Sequence, residues 1–206
     1  MRANSETNAR GIARREQILD VATDLFATRG YRGTGMLEIA KRVGISQPAV
    51  HYHFGTKEDL LRAVIERRDK LHDDLMSEFQ GLGLDGFMDE YVTDASTFME
   101  PEILTRLVTV LRAENLSPGG PLHEMFDQRA KQTRAFLAAE IRAKQGLGLY
   151  RVDVDPETKA AEMFSFIIGL EMQWLLNKDE VNLTEVFTGY IRTLVDDLAR
   201  PKLHRE

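Results

Sequence analysis

The short stretch QPAVHYHF, residues 47–54, carries side chains that can donate and accept hydrogen bonds. If this stretch is helical, Val50 and Phe54 lie four residues apart and turn toward a core. The outward face then combines amide, imidazole and phenol groups with small apolar ones: Gln47, Pro48, Ala49, His51, Tyr52 and His53. Such groups can meet base edges and thymine methyls in the DNA major groove. On this stretch alone, an ordinary helical hairpin with a polar outer face remains the alternative.

The residues before this stretch predict a second helix and a tight turn. Three apolar residues fall on one face of the first helix: Ile39, Ala40 and Val43. The helix is predicted to end at Gly44, where a residue without a Cβ can adopt a positive φ. Ser46 is a good N-cap for the next helix, and Pro48 is tolerated in its first turn because the amides there lack intrahelical partners. The spacing therefore predicts a helix-turn-helix.

With its flanks, the stretch resembles the TetR family of bacterial transcriptional regulators over about fifty residues, from Arg15 to Glu66. The runs LFATRGYRGTG and IAKRVGISQPAVHYHFGTKEDLLRAVIE follow the family's pattern. Two departures are Gly35, where Ser or Thr is commoner, and His51, where Tyr is commoner. The resemblance implies an all-α fold of nine helices: an amino-terminal three-helix helix-turn-helix domain, then a helical carboxy-terminal domain for ligand binding and dimerisation.

The resemblance also implies roles for individual residues on DNA. Base reading or helix positioning is expected of five: Gln47, Pro48, Ala49, His51 and Tyr52. Backbone contact is expected of three more: Thr34, His53 and Lys57. Independently of the resemblance, Thr56 is an N-cap candidate, and the exposed amides after it form a natural phosphate site beside Lys57. Arg10, Arg14 and Arg15 are either further phosphate or minor-groove contacts or a solvated helix end.

Charge is distributed unevenly along the 206 residues. Residues 1–70 contain 13 Lys plus Arg and 9 Asp plus Glu, net +4, whereas the remainder contains 14 and 24, net −10; the whole chain is −6. A mildly basic amino-terminal third suits phosphate contact, and an acidic remainder repels DNA from the wrong surface. Ordinary surface variation is the other interpretation of this split.

The order of signals along the chain predicts the domain organisation. Residues 1–9 are predicted to be a flexible arm, residues 10–56 the DNA-binding domain, and residues 57–206 the effector-binding and dimerisation domain, with the boundary inside a linking helix over 57–80. Beyond the glycines at 81–86, capping residues and prolines predict five more helices. These span about 85–99, 102–115, 122–144, 156–177 and 183–199.

The run AEMFSFIIGLEMQWLL, residues 161–176, is apolar on nearly every side of a helix. Such a helix must be covered all round, either by its own domain or by a second subunit. The family resemblance implies dimerisation through the last two helices as a four-helix bundle, so we expect a homodimer. The residues expected at the interface are Leu175, Phe187, Tyr190, Ile191, Leu194 and Leu198.

Large soft side chains are concentrated after residue 70, where 12 of 16 aromatic residues and six of eight methionines lie. They can line an apolar cavity or simply form a core. The resemblance implies a pocket for a small apolar or aromatic effector among the middle helices. The expected liners are Phe98, Met99, Leu107, Leu111, Met125, Phe126, Phe164, Ile168 and Met172. Arg106, Glu114 and Gln173 are candidate polar contacts or surface residues.

Other classes of function find little support. The histidines form no HExxH pair, no glycine-rich phosphate loop or nucleophile elbow exists, and the absence of cysteine removes thiolate metal sites, so we expect no enzyme, cofactor or metal. No apolar run is long enough to span a membrane, and a cytoplasmic location is expected. The sequence therefore predicts a repressor of a palindromic double-stranded operator, released by its effector. A ligand-independent activator or architectural protein and a helical protein-interaction module remain alternatives.

Overall fold

The computed structural model describes the backbone of residues 2–77 and 101–199, and the side chains of residues 9–70 and 101–199. These residues form eight helices and contain no strand, which confirms the all-α class. The helices are α1 (Arg2–Arg29), α2 (Met36–Val43), α3 (Gln47–Phe54), α4 (Lys57–Ser77), α5 (Glu102–Glu114), α6 (His123–Gly146), α7 (Pro156–Leu176) and α8 (Leu183–Ala199). The helix predicted over about 85–99 lies outside the described residues.

The chain divides into two compact units. The amino-terminal unit comprises Met1–Asp74 and Glu100–His123, and the carboxy-terminal unit comprises Leu75–Met99 and Glu124–Glu206. The division at 74/75 falls within the linking helix, where the sequence predicts a boundary. However, α5 belongs to the amino-terminal unit, whereas the sequence analysis assigns it to the effector domain. The reason is its packing on α1, because Leu107 and Leu111 are fully buried there.

Helix α1 begins earlier than predicted. Its apolar residues at helical spacing are buried, and it ends at Gly30, which has φ 72°. Residues 2–9, predicted as a flexible arm, continue the helix in the structure. Nothing in ANSETNA, residues 3–9, breaks a helix, since the segment contains neither proline nor glycine. The hydrophobic pattern alone could not detect this extension, because the segment has no apolar stripe.

The turn between α2 and α3 forms as the sequence predicts. Gly44 caps α2 in the left-handed conformation, with φ 77°, and its neighbour Ile45 donates its amide to Ala40 O at 3.0 Å. The side chain of Ser46 then accepts the Ala49 amide at 3.3 Å, capping α3. These local bonds fix the direction in which α3 leaves the turn.

Helix α4 begins with a reciprocal cap. The amide of Asp59 donates to Thr56 Oγ1 at 3.1 Å, and the amide of Thr56 donates to Asp59 Oδ2 at 3.0 Å. The Thr56 hydroxyl also donates to Asp59 Oδ2 at 2.6 Å. These bonds lower the pKa of Asp59. The predicted N-cap at Thr56 is therefore confirmed, with Asp rather than Glu or Gln as the third residue of the helix.

The carboxy-terminal unit is built on α6, α7 and α8. Its buried core draws on all three helices and on the loop before α7: Leu137, Ala138, Ile141, Tyr150, Ala160, Met163, Leu170, Phe187, Ile191, Leu194 and Leu198. The side chain of Asp155 accepts the Thr158 amide at 2.8 Å, and Asn182 Oδ1 accepts the Glu185 amide at 3.2 Å. Both capping pairs are at the starts of helices that the sequence predicts.

Candidate nucleic-acid interface

Helix α3 is anchored from its inner side. Val50 is fully buried and Phe54 is 7% exposed. The guanidinium of Arg15 lies 4.9 Å from the centroid of the Phe54 ring, and Arg14 Nη1 donates to Val43 O at 3.5 Å. Both arginines, which the sequence offers as phosphate contacts, therefore also contribute to packing α1 against the helix-turn-helix.

The outer side of α3 carries the predicted polar and aromatic groups. Tyr52 is 87% exposed, and its ring meets His53 edge-on with 5.5 Å between centroids. Pro48 and His51 are also exposed, while the remaining three residues of this face are half-buried: Gln47, Ala49 and His53. The structure thus brings the six side chains together on one surface of a short, well-anchored helix. What that surface contacts stays a prediction.

Two of these side chains are linked to the end of their helix. His51 Nδ1 lies 2.5 Å from Gly55 O, and His51 Nε2 lies 3.4 Å from Gln47 Nε2. Gly55 also donates its own amide to His51 O at 2.7 Å. Because Gly55 has φ 67° and ψ −89°, a backbone conformation suited to glycine, this turn places its carbonyl beside the imidazole.

Lys57 lies at a junction that the sequence did not reveal. Its Nζ is 4.2 Å from the centroid of the Tyr31 ring, while Glu114 accepts the Tyr31 amide at 2.6 Å and the Arg32 amide at 3.4 Å. Burial lowers the pKa of Lys57, and Glu114 offsets part of that effect. Burial, followed by the charge of Glu58, raises the pKa of Tyr31. We call Tyr31, Lys57 and Glu114 the Glu114 junction; it joins the ends of α1 and α5 to the start of α4.

Thr34 differs from the other predicted DNA contacts, because its side chain is not at the surface. The sequence predicts a contact with the DNA backbone, yet its side chain is buried, at 2% exposure. Its hydroxyl lies 2.8 Å from Gly30 O and 3.2 Å from Leu25 O, and can donate only to these carbonyls within the turn after α1. Thr34 therefore shapes the loop that leads into α2, and its hydroxyl is not presented to a phosphate.

Several surface arginines of this unit are paired with carboxylates. Arg42 contacts Asp24 at 2.7 Å, and Arg29 forms an ion pair with Glu38. Arg67 donates to Asp20 at 2.7 Å and to Thr23 Oγ1 at 3.0 Å, tying α4 to α1. Exposed pairs of this kind contribute roughly 0–1 kcal/mol each, so they orient these side chains more than they stabilise the unit.

Comparison with known proteins places this helix-turn-helix in a family. Residues 18–64 match the sequence profile described as bacterial regulatory proteins, tetR family, and residues 118–200 match the profile described as BetI-type transcriptional repressor, C-terminal. The chain belongs to the TetR family. It is a DNA-binding transcriptional regulator of the helix-turn-helix type, and α3 occupies the position of the recognition helix.

Individual relatives agree with this assignment. The HTH-type transcriptional regulator TtgR of Pseudomonas putida is 29% identical over 201 residues, covering 89% of this chain and 90% of TtgR. The transcriptional activator FasR of Mycolicibacterium smegmatis is 46% identical over 54 residues, 26% of this chain and 25% of FasR. A Saccharomonospora viridis protein solved in complex with choline superposes with a TM-score of 0.74 at 23% identity, covering 91% of this chain and 98% of that one. At 23% identity, the likeness to this third protein shows a shared fold and nothing more.

The residues predicted at the dimer interface of this TetR-family chain lie in two different places. Four of them are buried in the core of their own carboxy-terminal unit: Phe187, Ile191, Leu194 and Leu198. Leu175 and Tyr190 are half-buried, and the Tyr190 ring stacks on Phe166 with 3.7 Å between centroids. The apolar stripe of α8 is thus packed within its own unit, and the predicted role of these four residues in a dimer stays a prediction.

The residues predicted to line an effector pocket are also divided. Leu107 and Leu111 belong to the core of the amino-terminal unit, against α1. The other described ones lie in the carboxy-terminal unit, where Met172 is exposed and four are half-buried: Met125, Phe126, Phe164 and Ile168. Phe98 and Met99 lie outside the described residues. Arg106 pairs with Glu102 on its own helix, and Glu114 belongs to the Glu114 junction.

The carboxy-terminal unit also contains an open cavity. This cavity of about 490 Å³ lies at the turn between α7 and α8. It is lined by Trp174 and residues 178–185, none of which was predicted as a liner.

Within the described part of the chain, no cluster of three or more histidine or acidic side chains could hold a metal ion. None of the helices described is both long enough and apolar enough to cross a membrane.

Proposed function

We propose that this chain is a ligand-responsive repressor that binds a palindromic operator as a homodimer and is released by a small molecule. The observation that carries the proposal is the recognition helix α3. Its inner residues Val50 and Phe54 are fixed in the core, and its outer face carries amide, imidazole and phenol groups. A rigid helix with such a face suits the major groove.

On DNA, the outer face of α3 supplies the sequence reading. Gln47, Pro48, Ala49, His51 and Tyr52 contact bases or position the helix, and His53 and Lys57 contact the backbone. The net charge of +4 over residues 1–70 supports phosphate binding by this end of the chain. Thr34 is left out of this set because its hydroxyl is bonded within the protein.

The apolar surface on the last two helices supports a homodimer. Met172, Leu176 and Val186 are exposed large hydrophobic residues, at 45%, 76% and 42%, and Leu175 and Tyr190 are half-buried on the same two helices. We propose that a second copy covers this surface. Two recognition helices related by two-fold symmetry then require half-sites about 34 Å apart, which makes the operator a palindrome.

The effector is proposed to bind in the carboxy-terminal unit. The match to the BetI-type repressor profile supports this, and choline bound to a structural relative shows that the fold accommodates a small molecule. Here the half-buried Met125, Phe126, Phe164 and Ile168 favour an apolar or aromatic compound. Release of DNA requires that the effector bind the non-DNA-binding conformation more tightly, since equal affinity for both conformations shifts nothing.

The first test is selection of random duplex DNA by the purified chain at near-physiological salt, followed by sequencing. A recovered palindrome is the expected result, and retention without a shared sequence would contradict an operator-specific regulator. Adding choline or apolar aromatic compounds to the complex, with release followed by fluorescence anisotropy, tests the effector. In vitro transcription from the recovered site separates a repressor from an activator such as FasR.

Lys57→Met tests the phosphate contact. Loss of one such contact should weaken binding to every duplex alike and flatten the slope of log K against log salt concentration by up to about one unit. The matched control is Lys131→Met, which removes a lysine paired with Asp127 in the other unit and should leave the slope unchanged. An unchanged slope in Lys57→Met would exclude a phosphate contact by this residue.

A further inference from the structure

The hydrogen bonds around His51 determine which of its ring nitrogens carries a proton. Nδ1 lies 2.5 Å from Gly55 O, and a carbonyl oxygen can only accept, so Nδ1 must donate. In the neutral imidazole Nε2 is then an acceptor with its lone pair directed away from Gly55. The glycine turn after α3 thereby sets the chemistry of the opposite edge of the ring.

That edge faces the amide of Gln47. The two Nε2 atoms are 3.4 Å apart, and residues 47 and 51 are neighbours on one helical face. An amide nitrogen donates and an amide oxygen accepts, so the reverse orientation of Gln47 would place two lone pairs against each other. His51 therefore holds the amide with its nitrogen toward the ring and its oxygen outward.

An amide held in this way presents a defined pattern to DNA. One of its two N–H groups is used by His51, which leaves the second N–H and Oε1 side by side at the start of the recognition helix. Adenine is the base that matches this pair, because its N6 amino group donates to an amide oxygen while N7 accepts from the amide nitrogen. Guanine presents two acceptors, O6 and N7, in the major groove. One of them would face Oε1, which is itself an acceptor, so the contact would be unfavourable.

From this arrangement we infer that His51 is a positioning residue that orients Gln47 to read an adenine in each half-site. The inference rests on the proposed operator binding and adds the identity of one base. We call Gly55 O, His51 and Gln47, which these two contacts link in order, the amide-orienting chain. Gly55 contributes through its backbone, and its positive φ makes the turn difficult for other residues to adopt.

The test starts from the palindrome recovered at about pH 8, where imidazoles are neutral. The adenine whose selection is lost in Gln47→Ala is replaced by 7-deazaadenine, which lacks N7, or by unsubstituted purine, which lacks the amino group. Each replacement should weaken binding of the unaltered protein by roughly 10-fold. The variant His51→Phe keeps a ring but has no ring nitrogen. In this variant each base replacement should weaken operator binding by less than about twofold, because Gln47 is no longer held for a bidentate contact.

Two comparisons separate positioning from a general loss of structure. His51→Phe should keep the circular dichroism spectrum of the unaltered protein and a free energy of unfolding within about 0.5 kcal/mol, because His51 is exposed. Adding His51→Phe to Gln47→Ala should change the base preference no further, because His51 acts through Gln47. The matched control is His53→Phe, which removes the other imidazole of the same helix. It should weaken binding to all duplexes alike and keep the preference for adenine. The same comparison with His51→Ala removes the ring altogether, so that packing of a phenyl ring cannot account for the result.

Three outcomes would overturn the inference. The adenine preference could survive in both His51→Phe and His51→Ala, or the operator could contain no adenine whose selection depends on Gln47. Either result refutes the amide-orienting chain while leaving the proposed operator reader intact. If no shared sequence is selected at all, the proposed function fails and the inference fails with it.

Discussion

The two units of the chain secure their helices in different ways. In the amino-terminal unit, contacts between distant residues join the helices: Glu114 accepts amides 82 and 83 residues away, and Arg67 reaches Asp20. In the carboxy-terminal unit, such a contact is made by Arg151, which lies in the loop before α7 and donates its amide to Leu198 O at 2.8 Å and its guanidinium to Asp197 at 3.2 Å. Helix starts are capped locally in both units, whereas the Glu114 junction joins three helices of the amino-terminal unit and Arg151 joins a loop to α8.

Burial differs in the same sense. Many core residues of the amino-terminal unit are completely buried: Ile18, Ala22, Leu25, Phe26, Ile39, Val50, Leu60, Leu61, Leu107 and Leu111. In the other unit Ile141 and Ala160 are completely buried, whereas Leu137, Phe187 and Leu170 of its core are 9%, 8% and 7% exposed. Large apolar side chains are exposed in both units, at Leu37 and Leu116 in the first and at Met172 and Leu176 in the second, and those of the second lie on a helix proposed for dimerisation.

The largest expected effect comes from placing a charge in the core of the carboxy-terminal unit. Leu194→Asp puts an unpaired carboxylate among apolar side chains, and it should lower the free energy of unfolding by at least ~4 kcal/mol. Chemical denaturation followed by circular dichroism measures this. A stable, folded Leu194→Asp protein would show that Leu194 lies at the surface and would restore it to the interface.

Leu176→Asp is the surface counterpart of that substitution. Because Leu176 is 76% exposed, the same chemical change should cost less than about 1 kcal/mol in the folded subunit. If a second copy covers this surface, the variant should sediment as a monomer and bind the operator at least about 10-fold more weakly. A dimer that persists at micromolar concentration would refute the proposed partner surface.

A smaller effect is expected at the Glu114 junction. Glu114→Gln keeps the size of the side chain but replaces one acceptor oxygen by a donor that faces a backbone amide. Loss of a charge-assisted bond to Tyr31 or Arg32 should destabilise the protein by about 1–3 kcal/mol. The matched control is Glu180→Gln, at an exposed position of the other unit, which should change stability by less than about 0.5 kcal/mol. Equal effects of the two variants would refute a structural role for Glu114.

Local signals explain why so much of the fold could be predicted. Glycine at 44, serine at 46, threonine at 56 and aspartate followed by proline at 155–156 act on the backbone within one helical turn, so their consequences can be read directly from the sequence. The helix predicted over 183–199 is found with those bounds, and that over 102–115 ends one residue earlier. Helix boundaries that carry such local signals are therefore predictable, whereas the start of α1 carries no such signal and was predicted eight residues too late.

The roles of side chains were harder to predict where two environments suit the same residue type. A threonine hydroxyl can face a phosphate or a carbonyl of its own turn, and Thr34 does the latter. The apolar stripe of α8 can face a second subunit or its own core, and Leu194 faces the core. Glu114 gave no signal, because its partner Tyr31 is 83 residues away. Sequence identifies what a side chain can bond, whereas the long-range packing selects the partner.

The smallest predicted effect concerns the start of α4, where a local signal and a measurable pH dependence coincide. Thr56→Ala removes the hydroxyl that accepts the Asp59 amide and donates to its carboxylate, and loss of such a cap should cost about 1 kcal/mol at pH 7. Thr56→Ser keeps the hydroxyl and should retain most of that stability. Thermal unfolding of the three proteins side by side measures the difference.

Acid should remove this advantage of the native cap. The hydrogen bonds from the side chain and backbone of Thr56 lower the pKa of Asp59 in the folded state below its unfolded value of about 3.9. A depressed carboxyl pKa contributes stability that is fully present above the unfolded value and is lost as pH falls through the folded one. The stability difference between the native protein and Thr56→Ala should therefore be constant from about pH 5 to 7 and shrink below about pH 4. A difference that is the same at pH 3 and pH 7 would mean that the Asp59 carboxylate does not contribute to the cap, and that the threonine hydroxyl caps α4 alone.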